Sequence, residues 1–120
     1  MSSITRVTHV IDANDRPVGR LATEVVKLLR GKHRSTFRPN IDEGDFVKVI
    51  NAGKLKFSGD KLKQKELIHH TGYRRGGLKR QPLHKIQKEN PTLVVKHAVS
   101  GMLPKNKLRA RMIKRLTVEV

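Results

Sequence analysis

A strand, a helix and a second strand follow one another in the first 51 residues, and this order constrains the fold more than any other feature. Residues 7–13 read VTHVIDA, a short run rich in β-branched side chains. Residues 18–29 place apolar side chains at spacings of three and four, which predicts an amphipathic helix that ends at Gly31. Residues 46–51, FVKVIN, are the second predicted strand. This order predicts a parallel strand pair joined by a right-handed helical crossover.

The second predicted strand is apolar at nearly every position, so we expect it to be covered on both faces of the sheet. Further short strands are expected at residues 54–58 and 66–71. Residues 72–80 are rich in glycine and arginine and are interpreted as an irregular loop, followed by a helix at residues 82–88.

The C-terminal part of the chain predicts two further helices and a closing strand. Pro91 is expected to begin the first helix with Asn90 as its cap, and Asn106 is expected to cap the second. The closing strand is predicted at residues 117–120. A length of 120 residues suits one modest core, so we expect a single domain over residues 1–120.

Positive charge is concentrated in three segments. The chain has 27 Lys and Arg residues against 10 Asp and Glu, a net charge of +17. Residues 27–39, 71–90 and 101–116 carry nearly all of this excess. Such self-repulsion destabilises a compact domain, so a polyanionic partner is the natural explanation. Three acid-poor segments together indicate nucleic acid rather than solvated protein surface.

Aromatic residues are scarce, at 3% of the chain, with Tyr73 the only tyrosine and no tryptophan. A base-stacking platform for single strands needs several exposed rings, so this composition favours contacts to phosphates and to RNA shape. Whether Tyr73 stacks on a base or packs on the domain is left open.

Composition also excludes several classes of protein. The chain has no cysteine, which excludes disulfides and thiolate metal sites. No apolar run approaches the roughly 20 residues that a membrane span needs, and residues 1–11 lack the apolar core of a secretory signal. We therefore expect a cytosolic or organelle-matrix protein that does not contact a membrane.

Enzyme motifs are missing. The predicted turn before the first helix offers only Gly19 and no phosphate-binding glycine pattern, so Gly19 is interpreted as a packing glycine. Asp42, Glu43 and Asp45 are interpreted as a solvated acidic turn rather than as an acid–base pair. A small nucleotide-dependent enzyme is therefore the weaker alternative. A DNA-binding protein is the other, but no helix-turn-helix pattern occurs.

Histidines do not form a metal-binding pattern in the sequence. His69 and His70 are adjacent in a predicted strand, where they would point to opposite faces. Without cysteines or a zinc motif, no metal, cofactor or catalytic residue is predicted.

A series of motifs, in order along almost the whole chain, resembles the bacterial form of the large-subunit ribosomal protein family numbered thirteen. The last of them is the most specific. The motifs are HVIDA at 9–13, GRLATE at 19–24, LRGKH at 29–33, GDFV at 44–47, VINA at 49–52, HTGY at 70–73, GGLK at 76–79 and GMLPKNKL at 101–108.

The resemblance implies a three-layer α/β/α sandwich around a mainly parallel sheet, with basic loops and helices. It implies a structural constituent of the large ribosomal subunit that binds large-subunit ribosomal RNA and supports early subunit assembly. Neighbouring large-subunit ribosomal proteins are the other expected partners, and no obligate homo-oligomer is expected.

The chain departs from the family's pattern in three places. Arg74 and Arg75 stand where many members have a single proline, so the path of this loop is expected to differ. Arg109 replaces a usual glycine and adds charge to the predicted last helix. The sequence stops at Val120, without the short tail of many members, so contacts of that tail are expected to be lost or replaced.

The predicted RNA-binding residues lie mainly in the three basic segments. They are Arg20, Arg30, Lys32, His33, Arg34, Arg38, His70, Tyr73, Arg74, Arg75, Lys79, Arg80, Lys105, Lys107, Arg109, Arg111, Lys114 and Arg115.

Overall fold

The computed structural model describes residues 5–57, 61–70, 72, 74 and 76–120. Five strands and five α-helices occur in this part of the chain, together with a 3-10 turn at Ala52–Lys54. In chain order they are β1 (Thr8–Asp12), α1 (Val18–Arg30), β2 (Phe46–Ile50), α2 (Lys61–Gln64), β3 (Glu66–His70), β4 (Leu78–Pro82), α3 (Leu83–Glu89), α4 (Pro91–Met102), α5 (Leu108–Lys114) and β5 (Leu116–Val118).

A parallel sheet in the order β1-β2-β5 forms the centre of the fold. Thr8 pairs with Phe46, and Val47 pairs with Leu116 on the other side. The predicted parallel pair joined by α1 is therefore confirmed, and the predicted closing strand occurs at Leu116–Val118. The protein is a mixed α/β fold with a mostly parallel sheet.

Only one face of this sheet is buried by the described residues. Val47 and Val49 are almost completely buried, whereas Val10 is 62% exposed and Phe46 45%. The expectation that β2 is covered on both faces is therefore wrong. Side chains alternate between the faces of a strand, so an apolar run alone does not show that both faces are covered.

Helices α1 and α4 pack against each other over the buried face. Leu21, Val25 and Leu29 of α1 meet Val95 and Val99 of α4, and all five are fully buried. Burying such a side chain stabilises the fold by about 1.5–3 kcal/mol. This packing sets the position of the C-terminal end of α1, where the first basic segment begins. No helix of the described residues is both long and apolar enough to cross a bilayer.

Strands β3 and β4 form a separate antiparallel hairpin, with Ile68 opposite Arg80. The prediction of an irregular loop at residues 72–80 is therefore wrong for residues 78–80. The side chains of β4 are exposed up to Pro82, so the strand has no alternation of apolar and polar residues that would identify it. Its partner strand β3 was predicted and is confirmed.

Two further expectations differ from the structure. The strand predicted at residues 54–58 does not form at residues 54–57: the 3-10 turn ends at Lys54, and Lys56 only forms an isolated bridge with Pro17. Ser58 lies outside the described residues. A Cβ atom at Gly19 would have no atom within 4 Å, so Gly19 is not a packing glycine.

The predicted helix ends are partly confirmed. Gly31 ends α1 with a φ of 81°, the left-handed conformation that favours glycine. The side-chain oxygen of Asn106 accepts a hydrogen bond from the N–H of Leu108 at 3.0 Å, at the start of α5. Asn90 precedes α4 but does not cap it through its side chain, because its oxygen accepts from the hydroxyl of Thr92 instead.

Candidate nucleic-acid interface

Residues 31–45, here called the basic loop, leave the C-terminal end of α1 and return to the start of β2. Both ends of this loop depend on glycine. A Cβ atom at Gly31 would lie 2.9 Å from the carbonyl oxygen of Glu43. A Cβ atom at Gly44 would lie 1.6 Å from the carbonyl oxygen of Leu29. The returning backbone therefore lies directly on the last turn of α1.

Polar contacts also hold the place where the two ends of the basic loop lie on the last turn of α1, here called the junction. The N–H of Asp45 donates to the carbonyl oxygen of Leu28 at 3.1 Å. The guanidinium of Arg115 donates to the carbonyl oxygen of Leu29 at 2.9 Å. Carbonyls in the last turn of a helix have no partner within the helix. Here the basic loop and the residue after α5 supply the missing donors, which joins both segments to α1.

The carboxylate of Asp45 is the centre of the junction. It is 1% exposed and accepts four hydrogen bonds. Its Oδ2 atom lies 2.9 Å from Nε2 of His9 and 2.8 Å from Nε2 of His33. Its Oδ1 atom accepts from the N–H of Val7 at 3.2 Å and from the guanidinium of Arg34. These contacts join β1, the basic loop and β2.

The four donors determine the ionisation of this carboxyl group. Burial alone would raise the pKa of Asp45, but hydrogen bonds from His9, the Val7 N–H, Arg34 and His33 outweigh burial. They hold the pKa of Asp45 well below its usual range. The group is therefore an anion that accepts from all four donors.

Asp42 forms a second buried ion pair. Both of its carboxylate oxygens lie 2.5 Å from nitrogens of Arg115, and the two side chains are 10% and 9% exposed. The interpretation of Asp42, Glu43 and Asp45 as a solvated turn is therefore wrong for Asp42 and Asp45. The sequence did not reveal this, because their partners His9 and Arg115 lie 36 and 73 residues away.

The basic loop directs its cations in two directions. Arg34 and His33 turn inward to Asp45, while Lys32 and Arg38 are exposed. The guanidinium of Arg30 lies 5.5 Å from the centre of the Phe37 ring, within range of a cation–π contact. The anchored loop therefore presents separate cations to solvent from a fixed backbone.

Comparison with known proteins identifies the group to which this chain belongs. Residues 6–118 match the family described as Ribosomal protein L13. The chain belongs to the ribosomal protein L13 family. It is 51% identical over 117 residues to large ribosomal subunit protein uL13 of Clostridioides difficile (strain 630), covering 98% of this chain and 81% of that protein. The resemblance drawn from the motifs is therefore confirmed.

Two further relatives give the same result. The protein named large ribosomal subunit protein uL13 in Syntrophomonas wolfei is 49% identical over 117 residues, which cover 98% of this chain and 81% of that protein. The protein of that name in Mycolicibacterium smegmatis is 51% identical over 114 residues, covering 95% of this chain and 77% of that protein.

The most specific L13-family motif, GMLPKNKL at residues 101–108, joins α4 to α5. Lys105 and Lys107 are exposed there. Met102, at the end of α4, shares the lining of a surface hollow of about 360 Å³ with cations of the first segment, namely Lys27, Arg30 and Lys32. Met102, the second residue of the third basic segment, therefore lies beside cations of the first segment.

The remaining predicted residues occupy varied environments. Lys79 and Arg80 are exposed on β4, where Arg80 lies 3.9 Å from Glu66. Tyr73 and Arg75 lie outside the described residues, as does the side chain of His70. The exposed predicted cations are Arg20, Lys32, Arg38, Arg74, Lys79, Arg80, Lys105, Lys107, Arg111 and Lys114, while Arg30 and Arg109 are half-buried.

Proposed function

We propose that this chain is a non-enzymatic, structural constituent of the large ribosomal subunit and binds large-subunit ribosomal RNA. Membership of the L13 family and the name of its relatives support this role. The observation that carries the RNA-binding part is the set of exposed cations on the anchored basic loop and in the GMLPKNKL motif. We further propose that residues 1–120 act as one domain on the cytoplasmic ribosome, next to other large-subunit proteins, from early in assembly.

Phosphate recognition fits the arrangement of the charges. Lys32 and Arg38 on the basic loop are exposed, as are Lys105 and Lys107 in the GMLPKNKL motif. Such cations can neutralise backbone phosphates and release counterions. The internally bonded His33, Arg34 and Arg115 are best assigned to holding the basic loop, so the proposal rests on the exposed cations.

The basic surfaces lie at two ends of α1. Its C-terminal end carries the basic loop, and its N-terminal end lines a cavity with Lys65 and Leu67, next to the β3–β4 hairpin. A helix of 13 residues is about 20 Å long at roughly 1.5 Å per residue. We propose that RNA contacts both ends, which requires two backbone segments or a folded RNA surface.

We also propose the three-layer form of the sandwich for the assembled protein. Helices α1 and α4 supply one layer over the sheet. The second layer would cover the face on which Val10 and Phe46 are exposed. Protection of these two positions from solvent labelling in the assembled particle would support this arrangement.

Sedimentation of a lysate through a sucrose gradient tests the proposed function. The chain should migrate with the large subunit and remain there after a high-salt wash, because a structural constituent of the subunit is held by many contacts. Migration only with free protein at the top of the gradient, or release by a mild salt wash, contradicts the proposal.

Replacing Lys32 and Arg38 together by alanine is expected to weaken RNA binding and its salt dependence. Loss of each phosphate contact should reduce the log–log slope of affinity against salt by about 1. Binding to a large-subunit RNA transcript at several salt concentrations measures this slope. Lys56→Ala, which removes an exposed cation outside the three segments, is the control and should leave the slope unchanged. An unchanged slope in the double variant would remove the basic loop from the proposed interface.

A further inference from the structure

Three potential metal ligands converge where the basic loop meets the sheet. His9 lies on β1, His33 lies on the basic loop, and Asp45 precedes β2. One ligand atom from each lies within 4.8 Å of the other two. The two imidazole rings meet edge to face, with their centres 5.7 Å apart. Both rings therefore present Nε2 to the same carboxylate oxygen.

Hydrogen bonds already fix the orientation of the Asp45 carboxylate, as a metal-binding carboxylate requires. The N–H of Val7 and the guanidinium of Arg34 both bind Oδ1 of Asp45, which leaves Oδ2 oriented towards the imidazoles. Hydrogen bonds of this kind orient a metal ligand and are part of the site. The side chains of His9 and His33 are 32% and 27% exposed and that of Asp45 is 2% exposed, so the cluster lies where a buried carboxylate meets two imidazoles at the surface.

We propose that His9, His33 and Asp45 bind a single divalent ion of the zinc type, with water as the fourth ligand. The two Nε2–Oδ2 separations of 2.9 and 2.8 Å are shorter than a tetrahedral site requires. With metal–ligand bonds of about 2.0–2.2 Å, the Nε2 and Oδ2 atoms would have to move apart by roughly 0.5 Å. In the metal-bound form each imidazole would bind the ion through Nε2 and carry a proton on Nδ1.

Ligand chemistry selects the class of metal. Two imidazoles and one carboxylate suit Zn²⁺ and Co²⁺, whereas Mg²⁺ and Ca²⁺ require sites made of oxygen. Arg34 and the net charge of +17 oppose any cation, so the two imidazole bonds must supply the affinity. The inference goes beyond RNA binding and concerns the isolated protein, so it stands or fails separately from the proposed function.

Titration of the tag-free full chain with Co²⁺, followed by its visible absorption, tests the proposal. The expected result is the intense spectrum of tetrahedral Co²⁺ at one ion per chain, and its loss when Zn²⁺ is added. His33→Gln and His9→Gln each remove a ligand but keep an N–H donor for Asp45. Each should weaken binding by roughly 100-fold or more, since losing even a supporting residue outside the ligand set costs 10–100-fold.

His84→Gln is the matched control, because His84 is an exposed histidine on α3 and is not one of the three clustered ligands. This variant should bind Co²⁺ like the unmodified chain, and Zn²⁺ should raise the Tm of both. Zn²⁺ should not raise the Tm of His33→Gln or His9→Gln. A weak octahedral spectrum, or equal affinity in all variants, would mean an adventitious ion only and would overturn the proposal.

Discussion

Gly44→Ala is expected to lower the free energy of unfolding by at least about 4 kcal/mol, a loss that few single substitutions cause. The added Cβ would lie 1.6 Å from the carbonyl oxygen of Leu29 and 2.8 Å from a nitrogen of Arg115. Backbone must therefore move, either at the last turn of α1 or at the start of β2. A shift of either segment would also separate Asp45 from its four donors. Urea denaturation of the purified variant measures the loss.

Gly101→Ala provides the control for the Gly44 variant. Gly101 lies within α4, and a Cβ atom there would have no atom within 4 Å. Alanine is the better helix former, so this substitution should stabilise the protein by about 0.5–1 kcal/mol. Equal effects of the two variants would show that the tight junction at Gly44 does not contribute to stability.

Local pattern was sufficient to predict the elements that build the core. Apolar spacing predicted α1, and the strand–helix–strand order predicted the parallel pairing of β1 with β2. The same information could not predict β4. Its side chains are mostly exposed, and only the backbone pairing with β3 defines it as a strand. The pattern of apolar residues in a sequence predicts a helix or strand only when that element contributes side chains to a core.

The Asp45 junction lay beyond such local reasoning. His9 is distant in sequence from Asp45, and Arg115 from Asp42. Each pair meets only because β1, β2 and the end of α5 come together at the C-terminal end of α1. A count of charges cannot separate Arg115, which is buried against Asp42, from Lys114, which is exposed. The adjacent Gly44-Asp45 pair before a strand was the available signal, because glycine permits the close approach that buries the carboxylate.

Arg115→Met is expected to destabilise the protein by about 3–5 kcal/mol, the usual cost of removing one partner of a buried ion pair. Methionine keeps much of the apolar volume but leaves the carboxylate of Asp42 without its two hydrogen bonds, and the carbonyl of Leu29 without its donor. Lysine cannot restore the arrangement, because a single ammonium does not reproduce the paired geometry of a guanidinium. Arg115→Lys should therefore recover only part of the lost stability.

The surface pair of Arg16 with Glu24 gives the comparison for this effect. Their side chains are 37% and 48% exposed although the atoms lie only 2.5 Å apart. Arg16→Met should change the free energy of unfolding by no more than about 1 kcal/mol.

Asp42→Asn, alone and combined with Arg115→Met, completes a double-mutant cycle by urea denaturation. Because both partners serve one contact, the two losses should not add. Strict additivity would show that Arg115 stabilises the fold through Leu29 alone and that its pairing with Asp42 contributes nothing.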